Sequence, residues 1–163
     1  VPGAGSIDKD RVDAARGLLE VRPTLLITQD QRALLLESQI LVRRPGMHHE
    51  APLPLKVTVV SAPLGAEKPR DNWLAERGAL LKGQLAALLR ESLKVALIQL
   101  AVPVADAAPV RQRTVRYMQG GEERIERARV LAEGCDRYLL QTLRGDFLSV
   151  PQGEPNVGGC AGR

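Results

Sequence analysis

Leucine recurs at every fourth position through Leu81, Leu85, Leu89, Leu93 and Leu97, and this spacing constrains the chain more than any other feature. Residues four apart on an α-helix are neighbours on one face. Leu74, Leu88, Ala96 and Leu100 widen the stripe, so Asp71 to Leu100 reads as one long core helix. Asp71 or Asn72 caps it, and Val102-Pro103 ends it. Glu76, Lys82, Arg90, Glu91 and Lys94 interrupt it, which excludes a membrane span. Everything else in the chain must pack against this helix.

The 163 residues suit a single domain over 1–163, with loose tails at about 1–5 and 152–163. A domain of this size buries roughly 70% of its unfolded surface, so neither metal nor disulfide is needed for folding. No cofactor is expected. Only 2% of the residues are aromatic, namely Trp73, Tyr117, Tyr138 and Phe147, so the core must be built from Leu, Val, Ile and Ala. The net charge of +4 is mildly basic. It permits an anionic partner without demanding one, because both signs are interspersed.

Ser6 or Asp8 caps a first helix reaching about Glu20, with Val12, Ala15, Leu18 and Leu19 inward. Thr24–Thr28 and Ala33–Val42 read as a hairpin joined by Gln29-Asp30-Gln31-Arg32. Leu34, Leu36, Ser38 and Ile40 share one face of its second strand. Leu55–Ser61 is a third strand, Arg113–Met118 a short fourth, and Phe147–Val150 an edge strand.

Gly120-Gly121 admits a hairpin turn, which would make Glu123–Leu131 a strand. Against this, Ile125, Ala128, Leu131, Ala132, Cys135, Tyr138, Leu139 and Thr142 follow three-four spacing, and Glu123/Arg127 and Glu133/Arg137 are ion pairs four apart. A second amphipathic helix over Glu122–Arg144, stopped by Gly145, is therefore expected. The expected fold class is α+β: an antiparallel sheet of three or four strands packed on one long leucine-rich helix and this second helix. Small-residue stripes at Ala79, Gly83 and Ala87 and at Ala128 and Ala132 suit close docking of the two helices, ahead of pairing between two copies.

Chemistry-bearing residues are sparse. Met47-His48-His49-Glu50 holds both histidines beside a carboxylate, so His48, His49 and Glu50 are the candidate metal ligands. Adjacent side chains on extended backbone point apart, which favours an exposed polar loop instead. Cys135 falls on the apolar face of the expected second helix and reads as a buried small residue, while Cys160 lies in the tail. There is no phosphate-binding Gly-Lys-Ser/Thr and no GxGxxG.

Arg111, Arg113, Arg116, Arg124 and Arg127, with Arg129, form a candidate anion-binding patch. Glu122, Glu123 and Glu126 dilute it, and aromatic stacking platforms are scarce. The best-supported expectation is a non-catalytic protein-interaction or assembly module, with a protein partner or a homodimer. Anion or nucleic-acid binding comes second, and a small hydrolytic or metal-assisted enzyme third. The two cysteines define no redox compartment, and cytoplasm is expected ahead of periplasm or secretion.

Overall fold

The computed structural model describes residues 17–44, 51–101 and 112–152. In chain order the elements are β1 (Leu18–Ile27), β2 (Leu34–Arg43), β3 (Leu53–Val60), α1 (Pro69–Ala101), β4 (Gln112–Gln119), β5 (Glu122–Glu133), β6 (Arg137–Thr142) and β7 (Phe147–Pro151). All seven strands join one sheet in the order β1-β2-β3-β7-β6-β5-β4. Two antiparallel meanders, β1–β3 and β4–β7, meet where β7 runs parallel to β3, with Val57 beside Phe147 and Val59 beside Ser149. Parallel neighbours need a long crossover, and α1 with the β4–β6 strands supplies it.

Alternation decides which side of the sheet is covered. Leu34, Leu36, Ile40 and Val42 of β2 and Val57 and Val59 of β3 point to one face, where Trp73, Leu88, Val95 and Ala96 of α1 complete a core with Phe147. On the opposite face Val60, Leu148, Val150 and Leu140 form a second core, closed by Val115 and Tyr117 of β4 and Ala128 of β5. β4 is three strands away from β7 in the sheet, so this contact requires the sheet to curl. The four aromatic residues divide between the cores: Trp73 and Phe147 under the helix, Tyr117 and Tyr138 inside the curl.

The curl is latched at its tip. The Gly121 amide in the β4–β5 turn donates to Asp30 Oδ2 at 2.5 Å, while the Thr28 hydroxyl and the Arg32 amide donate to Oδ1 at 2.5 and 3.1 Å. Gly120 adopts φ +67°, and a Cβ there would lie 2.5 Å from Asp30 Oδ1. Only glycine meets both conditions. The donors, Thr28 first, hold the Asp30 carboxyl below its ordinary value of 3.8. A depressed folded-state value means that the stabilisation is full above the ordinary value and is lost as pH falls through the folded one. Because the hydrogen bonds to Asp30 are exposed and screened by solvent, Asp30→Asn should cost no more than about 0.5–1 kcal/mol at neutral pH. In urea titrations its gap from wild type should close as pH falls below about 4. A gap that persists in acid would refute the carboxylate latch.

Three expectations from the sequence are corrected. The sheet is mixed and seven-stranded, not antiparallel with three or four strands. The second amphipathic helix over Glu122–Arg144 does not exist: these residues form β5 and β6 around a turn in which the Gly134 amide donates to the Arg137 carbonyl at 2.9 Å. Strand pairing on both sides, to β4 and to β7, outweighs the local helical spacing. The expected first helix also fails at its end, because Leu18–Glu20 opens β1; the rest of it lies outside the described residues.

The long helix is present but interrupted. Ala75 has extended backbone, and Glu76, Arg77 and Gly78 follow with φ of 50°, 58° and 74°. A left-handed conformation costs a non-glycine residue roughly 1–2 kcal/mol. Arg77→Gly should thus raise stability by about 1 kcal/mol, seen as a higher urea midpoint at unchanged slope. A lower midpoint would show that Arg77 is not held there.

Candidate interaction surface

Residues four apart advance 400°, so the leucines from Leu81 to Leu97 sweep about 160° around the helix. The sheet needs a narrower stripe. It takes Leu88, Ser92, Val95 and Ala96 as buried residues, with Leu81 and Leu85 half-buried. Leu89 and Leu97 are left 36% and 54% exposed, with Leu80 and Ile98 also exposed. Leu89, Leu93, Leu97, Ile98, Ala86 and Ala101 line a shallow apolar surface on this outer face. The stripe of Ala79, Gly83 and Ala87 lies exposed there too, and a Cβ on Gly83 would meet nothing within 4 Å. Its expected docking on Ala128 and Ala132 does not occur, since both residues belong to β5.

The charges on this helix are unevenly placed. Lys82, Arg90 and Lys94 are exposed, and Lys82 and Arg90 have no ion-pair partner among the described residues. The one carboxylate between Ala79 and Ala101 is Glu91. It is half-buried and accepts a hydrogen bond from the Ser149 hydroxyl at 3.1 Å, with Lys94 Nζ 3.9 Å away. The outer face is therefore apolar and basic.

Both sheet edges carry features that discourage strand addition. On β1 the exposed run Leu25-Leu26-Ile27 is preceded by Pro23. The Thr28 amide donates to the Ala33 carbonyl, so by alternation Leu26, Thr24 and Arg22 face β2 and Pro23 faces outward. At that position the outer edge has no N–H to offer. The β4 edge carries Arg113 and Arg116.

The structure does not gather the candidate arginines into one patch. Pairing of Arg113 with Ala128 and of Tyr117 with Arg124 puts Arg113 and Arg124 on the curled-in side. Arg116, Arg127 and Arg129 occupy the other side, opposite Ile125, Thr114 and Gln112 respectively. Arg113 pairs with Glu133 at 2.7 Å and lies over the Tyr138 ring; Arg116 pairs with Glu123 at 2.9 Å and Arg124 with Glu122 at 2.8 Å. Arg111 and the set His48, His49 and Glu50 lie outside the described residues. Among the described residues no three His, Cys, Asp or Glu side chains gather as a metal site. Cys135 is not a buried helix residue: it is exposed in the β5–β6 turn and disulfide-bonded, with Cys160 outside the described residues.

Sequence reasoning missed one polar cluster, at Arg137. Its Nη2 donates to the Val60 carbonyl at 2.6 Å and to the Ser149 carbonyl at 2.9 Å, and its Nε donates to Ser149 Oγ at 3.1 Å. That hydroxyl donates onward to Glu91, linking β6, β7, β3 and α1. Burial pulls the guanidinium below its ordinary value, and Glu91 and Asp136 act in the opposite direction. The cluster borders a cleft of about 390 Å³ lined by Glu91, Lys94, Asp136 and Tyr138. Balanced charges and filled hydrogen bonds suit it to holding strands together. It offers no nucleophile paired with a base. The sequence placed Arg137 in a pair with Glu133, which instead binds Arg113.

No α-helix among the described residues is long and apolar enough to cross a membrane. Comparison of the chain with family models, with curated proteins and with solved structures gave no match.

Proposed function

We propose that this protein is a non-catalytic interaction module whose docking surface is the outer face of α1. The observation that carries this reading is the exposure of Leu89, Leu97 and Ile98, which line one apolar surface with Leu93 on a helix whose other side already fills a core. Contiguous apolar surface on a folded domain marks an interaction site. A photo-crosslinking residue placed at 89 or 97 in the cell of origin should give one discrete adduct, identifiable by mass spectrometry. The same residue at 127, on β5, should not. Equal adducts at all three positions, or none at 89 and 97, would count against the reading. Anion binding remains the second proposal, resting on Arg116, Arg127 and Arg129 sharing one side of β4–β5. Loss of heparin binding at low salt in Arg127→Ala/Arg129→Ala is its test.

A further inference from the structure

We infer that the outer face of α1 receives an amphipathic helix of a partner protein whose apolar stripe is flanked by Asp and Glu; this rests on the interaction reading above. At 100° per residue, Leu89, Leu93 and Leu97 form a ridge, Arg90 and Lys94 run along one side of it, and Lys82 lies at its foot. Ala79, Gly83 and Ala87 form a shallow trough on the same side as Arg90 and Lys94. A ridge beside a trough is the relief that helix-on-helix packing needs.

Charge selects the occupant. Glu91, the only carboxylate of this helical stretch, is shared between the Ser149 hydroxyl and Lys94. Lys82 and Arg90 therefore look outward with no ion-pair partner among the described residues, and Lys94 has only a half-buried carboxylate 3.9 Å away. A second copy would bring the same three cations to the same interface. In an antiparallel pair centred near Leu89, Arg90 would face its own counterpart as apolar burial removed the water that screens them. A lipid surface suits the charges but lacks its usual anchors, because Trp73, Tyr117, Tyr138 and Phe147 are all committed to the two cores. An acid-flanked helix satisfies the ridge, the trough and the cations together.

The test uses the full chain and two synthetic helical peptides with the same leucine stripe, one flanked by Glu and one by Lys. Fluorescence anisotropy should show the Glu peptide binding about tenfold or more tightly than the Lys peptide, with the preference narrowing as salt rises. Lys82→Glu/Arg90→Glu/Lys94→Glu should reverse the preference. Leu89→Ser/Leu97→Ser should abolish binding of both peptides. Equal binding of the two peptides would overturn the charge selection and leave the interaction reading standing. The same holds if sedimentation velocity shows a dimer that Leu89→Ser/Leu97→Ser dissolves. Co-sedimentation with phosphatidylcholine/phosphatidylglycerol vesicles in preference to the Glu peptide would overturn the inference in favour of lipid. A monomer that binds neither peptide nor vesicles would overturn both this inference and the reading beneath it.

Discussion

Trp73→Ala is expected to lower the unfolding free energy by about 3–5 kcal/mol, the range for truncating a buried aromatic residue. Trp73 is 3% exposed and lies in the core between α1 and the sheet. Its indole Nε1–H donates to the Gln31 carbonyl at 2.7 Å, fastening the first turn of α1 to the β1–β2 turn. That turn also holds the loop before α1, because the Leu64 amide donates to the Arg32 carbonyl and Arg32 Nε donates to the Leu64 carbonyl. Trp73→Phe keeps most of the volume but not the donor, so it should cost less, about 1–2 kcal/mol. Chemical denaturation followed by circular dichroism ranks the two variants. Equal losses would mean that the indole hydrogen bond contributes nothing beyond packing.

Arg137→Met is expected to cost about 2–4 kcal/mol, because it leaves the Val60 and Ser149 carbonyls and the Ser149 hydroxyl without their shared donor in a part-buried site. The β3–β7 ladder pairs only Val57–Val59 with Phe147–Ser149. Beyond its end, Arg137 reaches from β6 across β7 to the Val60 carbonyl and holds the two meanders together. Arg137→Lys should recover less than half of the loss, since an ammonium cannot reproduce the planar fork that serves three acceptors. Pairing Arg137→Met with Ser149→Ala in a double-mutant cycle should show costs well short of additive. Strict additivity would refute the network.

Much of the first meander was legible because its alternation is strict. Leu34, Leu36, Ser38 and Ile40 share the covered face as their spacing predicted, and Val57 and Val59 repeat the pattern on β3. The second meander was not legible. Between Glu122 and Thr142 the apolar residues fit a three-four period and a broken alternation equally well, and the break is physical: the β5–β6 register shifts between Val130 and Ala132. Only pairing with distant β7, itself beside β3, selects the strands, and no local pattern encodes that pairing.

The same switch dispersed the arginine patch. Arg124 and Arg127 are three apart, which is one face of a helix but opposite faces of a strand. The candidate surface on α1 was half legible. The leucine repeat marks an apolar helix, but it sweeps about 160° around the axis and the sheet covers only part of that arc.

Comparing the unfolding free energies of Leu88→Ser and Leu89→Ser tests the exposed outer face of α1 most directly. The two leucines are adjacent, chemically identical, and 3% and 36% exposed. Leu88→Ser should lose about 3 kcal/mol or more, while Leu89→Ser should stay within about 0.5–1 kcal/mol of wild type. A comparable loss at both positions would mean that another part of the chain covers Leu89, and α1 would then have no outer face to offer a partner.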